Sequence, residues 1–180
     1  MHLTPENTIA VCIDYQEKLM PSIHEGEEAL HRAEILVRGL RALGVPILVT
    51  QQYTRGLGGT VEPVHSALGE YEVFEKMTFG AYDDEVFRRA VDESGRKNVV
   101  IFGTETHICV LQTALGMQRS GYQTMLVDDC CGSRRQSDKE SGLRRAMGEG
   151  VQISCSETVL FELTGVAGTQ TFKTISKLVK

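Results

Sequence analysis

Three reactive side chains stand at separate points of the chain, each just beyond an apolar run: Asp14 after Ile9–Ile13, Lys76 after Tyr71–Phe74, and Cys109 after Val99–Phe102. A carboxylate beside a thiol can accept its proton and later return it to a leaving group. A lysine nearby favours both the thiolate and the carboxylate by charge proximity. Such a set suits attack on an amide-like carbon. Residues Asn98–Val110 read Asn-Val-Val-Ile-Phe-Gly-Thr-Glu-Thr-His-Ile-Cys-Val, a strand that breaks at a glycine and delivers Cys109 into the first turn of a helix. Unpaired backbone N–H groups and the partial positive charge there predict a thiol that ionises easily, with amides at hand for an oxyanion. Taken alone, a cysteine is as readily an apolar filler, Asp14 a strand-end turn residue and Lys76 a solvated loop cation.

The surrounding elements explain how these groups could meet. Apolar, β-branched runs at Ile9–Ile13, Val45–Thr50, Val99–Phe102, Gln123–Val127 and Val151–Ile153 lack strict alternation, as expected of strands buried on both faces, with a shorter one at Tyr71–Phe74. Between them lie helical repeats, such as Leu30, Ala33, Leu36, Val37, Leu40 and Leu43, or Val86, Phe87, Ala90 and Val91. Gly44, Gly95, Gly121 and Gly150 each close a helix shortly before a strand. This alternation predicts a doubly wound, three-layer α/β/α domain over residues 1–180, with a mainly parallel six-stranded sheet in the order 3-2-1-4-5-6. Ligands of such sheets bind beyond the carboxyl ends of the strands, where Asp14, Lys76 and Cys109 would converge. The long Gln51–Gly80 connection, with Gly56, Gly58, Gly59 and Pro63, reads as a pocket wall or lid in its first part. Two C-terminal helical stretches, around Val159–Leu163 and Phe172–Val179, carry spare apolar residues for docking on the sheet or on another subunit.

Composition narrows the classes. The 180 residues are 41% hydrophobic and 24% charged, ordinary for a globular domain, and the formal net charge of −5 has no basic stripe to set against it, so nucleic acid is not expected as a partner. No apolar stretch is long enough to span a bilayer, and the N-terminal Met-His-Leu-Thr-Pro-Glu-Asn lacks a signal-peptide pattern. An odd count of five cysteines without paired spacing favours a reducing, cytoplasmic setting, and adjacent Cys130 and Cys131 form no Cys-x-x-Cys motif.

Three motifs in order, Ile13-Asp14-Tyr15-Gln16, Lys76-Met77-Thr78-Phe79-Gly80-Ala81-Tyr82 and Gly103-Thr104-Glu105-Thr106-His107-Ile108-Cys109-Val110, resemble the isochorismatase-like cysteine hydrolase family from about Asn7 to Ser154. Val49-Thr50-Gln51-Gln52-Tyr53, Gly56-Leu57-Gly58 and Glu105–Ala114 resemble its isochorismatase-domain-containing branch. The resemblance implies Cys109 as nucleophile, Asp14 as base and then acid, and Lys76 as their charge partner. It also implies a cis peptide between Thr104 and Glu105, an oxyanion hole of the Glu105 and Cys109 N–H groups, and self-association into a homo-oligomer. Gln16, Phe79 and His107 are carried as substrate-binding candidates, although a surface glutamine and a capping histidine would look the same.

Nicotinamidases of this family carry an Asp-x-His metal motif after the second strand. Here the region reads Gln51-Gln52-Tyr53, poor zinc ligands, so neither a metal nor another cofactor is expected. True isochorismatases hydrolyse a vinyl ether without needing the thiol, so retention of Cys109 points instead to a metal-independent hydrolase of a small amide, carbamoyl or related C–N bond. Three other readings stay open: a non-catalytic member of the family that binds another protein, an isochorismatase-type vinyl ether hydrolase, and a redox-responsive thiol protein, which lacks an adjacent resolving cysteine.

Overall fold

The most deeply shielded stretches of the chain are its two central strands. The computed structural model describes all 180 residues. In it every residue of β1 (Thr8–Ile13) and of β4 (Asn98–Thr104) is buried, so neither strand has a polar face to alternate with an apolar one. The remaining strands are β2 (Ile47–Gln52), β3 (Val73–Lys76), β5 (Gln123–Gly132) and β6 (Gln152–Ser154). They join in the order β3-β2-β1-β4-β5-β6, with every neighbouring pair parallel. The predicted order is therefore the observed one, and the sheet is parallel throughout.

Helices cover both faces. On one lies α1 (Gly26–Ala42), packed against the short α3 (Val64–Leu68), α7 (Ser156–Thr164) and α8 (Gln170–Leu178). Its buried Ala29, Ala33, Leu36, Val37 and Leu40 recur at helical spacing. The other layer is built from α4 (Glu85–Glu93), α5 (Leu111–Arg119) and α6 (Gln136–Gly148). The C-terminal pair docks on α1 through Val159, Leu160, Leu163 and Ile175, and Leu160 fills the space that a side chain at Gly39 would need. A hydrophobic cluster of 44 buried residues runs through these layers.

Boundaries moved where pairing rather than hydrophobicity defines a strand. β3 begins two residues later than the apolar run at Tyr71 suggested and extends to Lys76, because the edge strand is set by its register with β2, Gln52 opposite Lys76. β5 continues through Asp128 and Asp129 to Gly132, past the polar residues that seemed to end it. A bulge absorbs the excess: Leu126 faces Ile101 while Cys131 faces Gly103. Both carboxylates find partners outside the ladder: Asp129 accepts from the Ser156 N–H and hydroxyl at 2.8 and 2.6 Å, and Asp128 is ion-paired with Lys139 at 2.9 Å, although its Oδ1 accepts no hydrogen bond. The Gln51–Gly80 connection holds α2 (Thr54–Leu57), α3 and β3. Its Leu57–Gly59 turn accepts hydrogen bonds from the Lys18 and Glu17 amides.

Order reverses between β1 and β4, and the crevice opens at their carboxyl ends. There Gly103, with φ +143°, lies so close to β1 that an added Cβ would sit 2.1 Å from the Ile13 carbonyl oxygen. Gly103→Ala is therefore expected to destabilise the fold by about 3 kcal/mol or more. Urea unfolding followed by circular dichroism checks this.

Candidate active site

The carboxyl ends of three strands place the three reactive groups. Asp14 follows β1 with φ +50°, a left-handed conformation that aspartate tolerates better than most residues. Its carbonyl oxygen accepts from Thr104 Oγ1 at 2.6 Å, tying the turn to the end of β4. Its carboxylate turns toward β2 and β3, taking a hydrogen bond from Thr50 Oγ1 at 2.7 Å and one from Lys76 Nζ at 2.7 Å. Both ions are sealed from water, with side-chain exposures of 1% for Lys76 and 0% for Asp14.

Lys76 Nζ has further acceptors in Gln52 Oε1 at 2.7 Å and the Phe79 and Thr78 carbonyls at 3.2 and 3.3 Å. Four acceptors surround three protons. The amine is thus fixed in position by its acceptors.

Cys109 approaches from β4. After a cis peptide between Thr104 and Glu105 the chain makes a π turn over Thr106–Val110, with the Val110 N–H donating to the Glu105 carbonyl at 3.2 Å, before α5 begins. The buried thiol is flanked by Asp14 and Lys76. Burial pushes it up to about 12, Asp14 adds to the rise, and Lys76 opposes it. The easily ionised thiol expected from the helix start is not what this environment makes. The resting group is a neutral thiol beside a carboxylate and an ammonium. Cys131 is likewise raised by burial to about 12, and Cys12 and Cys130 are raised further.

The supporting candidates separate. Gln16 is fully buried and its amide is committed to backbone: Nε2 donates to the Gln52 and Gly58 carbonyls at 3.0 and 2.8 Å, and Oε1 accepts from the Gln52 N–H at 2.8 Å. It fixes the end of β2 to the Gly58 turn. The Phe79 carbonyl serves Lys76 while the residue is 55% exposed, and Tyr53 and Met77 are exposed as well. His107 sits in the π turn with Nδ1 2.9 Å from Ser133 Oγ. Glu105 Oε2 is bound by the Arg134 N–H and Nε–H at 3.1 and 3.0 Å, and the Glu105 N–H itself donates to no protein group.

Thr50 and Gln52 were not singled out as site residues, nor were Ser133 and Arg134. The first two had a signal: polar residues at i and i+2 closing an apolar strand project to one face. The second two had none, because only the tertiary fold brings the end of β5 to the π turn. No group of three or more His, Cys, Asp or Glu side chains is placed to hold a metal ion, and no helix is long and apolar enough to cross a membrane.

A carboxylate, an ammonium and a thiol gathered at the switch point of a 3-2-1-4-5-6 parallel sheet define a cysteine-hydrolase type of α/β/α domain. Residues 8–158 match the isochorismatase domain model, and the chain belongs to that family. It is 34% identical to isochorismatase domain-containing protein 1 of Salmo salar over 99% of its own length and 63% of that protein. It therefore spans less than two thirds of that relative. Among solved structures, the MAR1 ribonuclease of Caenorhabditis elegans superposes with a TM-score of 0.93 at 28% identity, covering 99% of this chain and 92% of that one. The YcaC gene product of Escherichia coli, an octameric hydrolase of unknown specificity, shares the fold with a TM-score of 0.91 at 21% identity, over 99% and 90% of the two chains.

Two outcomes follow from the electrostatics. Lys76→Met strands a buried carboxylate and is expected to cost about 3 kcal/mol of stability at neutral pH, read by thermal unfolding. Iodoacetamide labelling of Cys109, followed by peptide mass spectrometry, should still accelerate with pH at pH 10, well past the ~8.5 of a free thiol. In Asp14→Asn a charge that raises the thiol is gone while Lys76 remains, so labelling at a given pH should be faster than in the parent.

Proposed function

We propose that the protein is a metal-independent cysteine hydrolase of a small amide, carbamoyl or related C–N bond, acting through a covalent Cys109 intermediate. The observation that carries this reading is the neutral Cys109 thiol beside an Asp14 carboxylate already oriented by Thr50 and Lys76. The sulfur attacks the carbonyl carbon as its proton passes to Asp14. The C=O pair moves onto oxygen, where the Glu105 and Cys109 N–H groups receive it. Collapse expels the amine, which takes the proton from Asp14, and leaves a thioester on Cys109. Asp14 then takes a proton from water as it attacks the thioester, and returns it to the departing thiol. Lys76 holds the Asp14 carboxylate in place through its 2.7 Å contact. Gln16 acts as a positioning residue through Gln52, and Phe79 and His107 are the side chains assigned to contact substrate.

Residues 1–180 are read as one such domain. The exposed Tyr53, Met77 and Phe79 around the site support self-association, and five free cysteines support a reducing, cytoplasmic setting.

The likeness to the MAR1 ribonuclease brings a second reading, RNA cleavage. Against it stand the net charge of −5 and a site cation, Lys76, that is buried and paired.

The test is turnover of a panel of small amides, ureido acids, isochorismate and an RNA oligonucleotide. Cys109→Ala and Asp14→Asn should each lower amide hydrolysis about a thousandfold or more, and an acyl adduct on Cys109 should appear in the mass spectrum of the parent protein. Full activity in either variant rejects the mechanism. Cleavage of RNA alone, undiminished in Cys109→Ala, favours the second reading.

A further inference from the structure

Beyond the reactive groups, the loop that follows β5 holds the π turn at several points. Gly132, the last residue of β5, pairs in register with Thr104, the residue before the cis peptide. Ser133 Oγ lies 2.9 Å from His107 Nδ1, and the Ser133 carbonyl is itself anchored by the His24 N–H at 3.0 Å. Arg134 grips the Glu105 carboxylate with its main-chain N–H and its Nε–H, both on the same oxygen. From the far side, α6 comes so near that a Cβ on Gly142 would stand 2.9 Å from the Cα of His107.

The Glu105–Arg134 pair is unusual in where its charge lies. The Glu105 side chain is only 9% exposed and belongs to the same residue whose N–H has no protein acceptor, whereas the Arg134 side chain is 60% exposed. A bare carboxylate there would oppose negative charge developing at the neighbouring amide. Without the guanidinium, only the Arg134 main-chain N–H would still bind that carboxylate.

We propose that Arg134 is a positioning residue that aims the Glu105 N–H at a reaction oxyanion and neutralises the Glu105 carboxylate beside it. The proposal rests on the cysteine-hydrolase reading, and it adds a contribution from the β5–α6 loop that the three strand-end groups do not supply. Arg134 has no contact with the thiol or with the Asp14–Lys76 pair. Its removal should therefore slow the step that builds an oxyanion and spare a displacement at the same sulfur that builds none.

The experiment compares two reagents on Cys109 of the full chain, each followed by peptide mass spectrometry. p-Nitrophenyl acetate acylates through a tetrahedral oxyanion, whereas iodoacetamide alkylates by direct displacement. Arg134→Ala should lower the acylation rate roughly tenfold, less than complete loss of an oxyanion donor, and leave alkylation within about twofold. Arg134→Lys, which keeps the charge and a donor, should recover part of the loss. Arg134→Gln supplies a second loss variant should the alanine chain fold poorly. Equal acylation in the parent and the loss variants overturns the proposal, and so does an equal slowing of both reagents, which marks general loosening. If the parent alkylates at Cys109 but is never acylated there, the hydrolase reading fails and takes this proposal with it.

Discussion

A carboxylate and an ammonium 2.7 Å apart, both shielded from water, set the terms on which the carboxyl end of this sheet can close. Neither ion tolerates burial alone. Desolvation costs several kcal/mol per ion, and only their mutual attraction with a full set of hydrogen bonds offsets it. Thr50, Gln52 and two carbonyls of the Thr78–Phe79 turn complete that set. Gln16 in turn fixes Gln52, so one polar network joins the ends of β1, β2 and β3 and the Gly58 turn. A network satisfied this fully is stiff, as the proposed role of Asp14 as a base requires.

The state of the thiol follows from magnitudes. A helix terminus is worth about 0.3–1 kcal/mol to a charge, less than one pKa unit, whereas burial of an ionisable group shifts it by up to 3–5 units. Burial wins at Cys109, and the adjacent Asp14 carboxylate adds to it. The fold thereby stores an acid and a base side by side rather than a ready thiolate. In the proposed mechanism, nucleophilicity arises when a substrate presents its carbonyl and the proton has somewhere to go. Such a thiol is also less open to chance oxidation than an exposed thiolate.

Much of the architecture was legible in the chain because it is written locally. Strand runs without alternation, helices with apolar faces, and glycines at the closing turns each report a local preference, and all four of those glycines adopt positive φ. The parallel connections then left few ways to wind the sheet, so the 3-2-1-4-5-6 order could be anticipated. Asp14, Lys76 and Cys109 were legible for the same reason: each sits at the end of a strand or in the turn that follows one, and strand ends converge at a switch point. The short helices α2 and α3 were not, since helices of four and five residues leave too little periodicity to see. Nor was the length of β5, because a bulge lets two aspartates enter a strand while their carboxylates bind elsewhere.

What the sequence by itself determined is the class of fold, the strand ends and the identity of the three groups brought there. Only the tertiary structure decided their states and their support. A pKa depends on how much water is removed and on which charges stand nearby, and a hydrogen bond between residues 29 apart, as from Arg134 to Glu105, is a property of packing. The sequence identified a cysteine, a carboxylate and a lysine. Their enclosure made the thiol neutral, paired the carboxylate with the ammonium, and set the loop after β5 against the turn that carries Cys109.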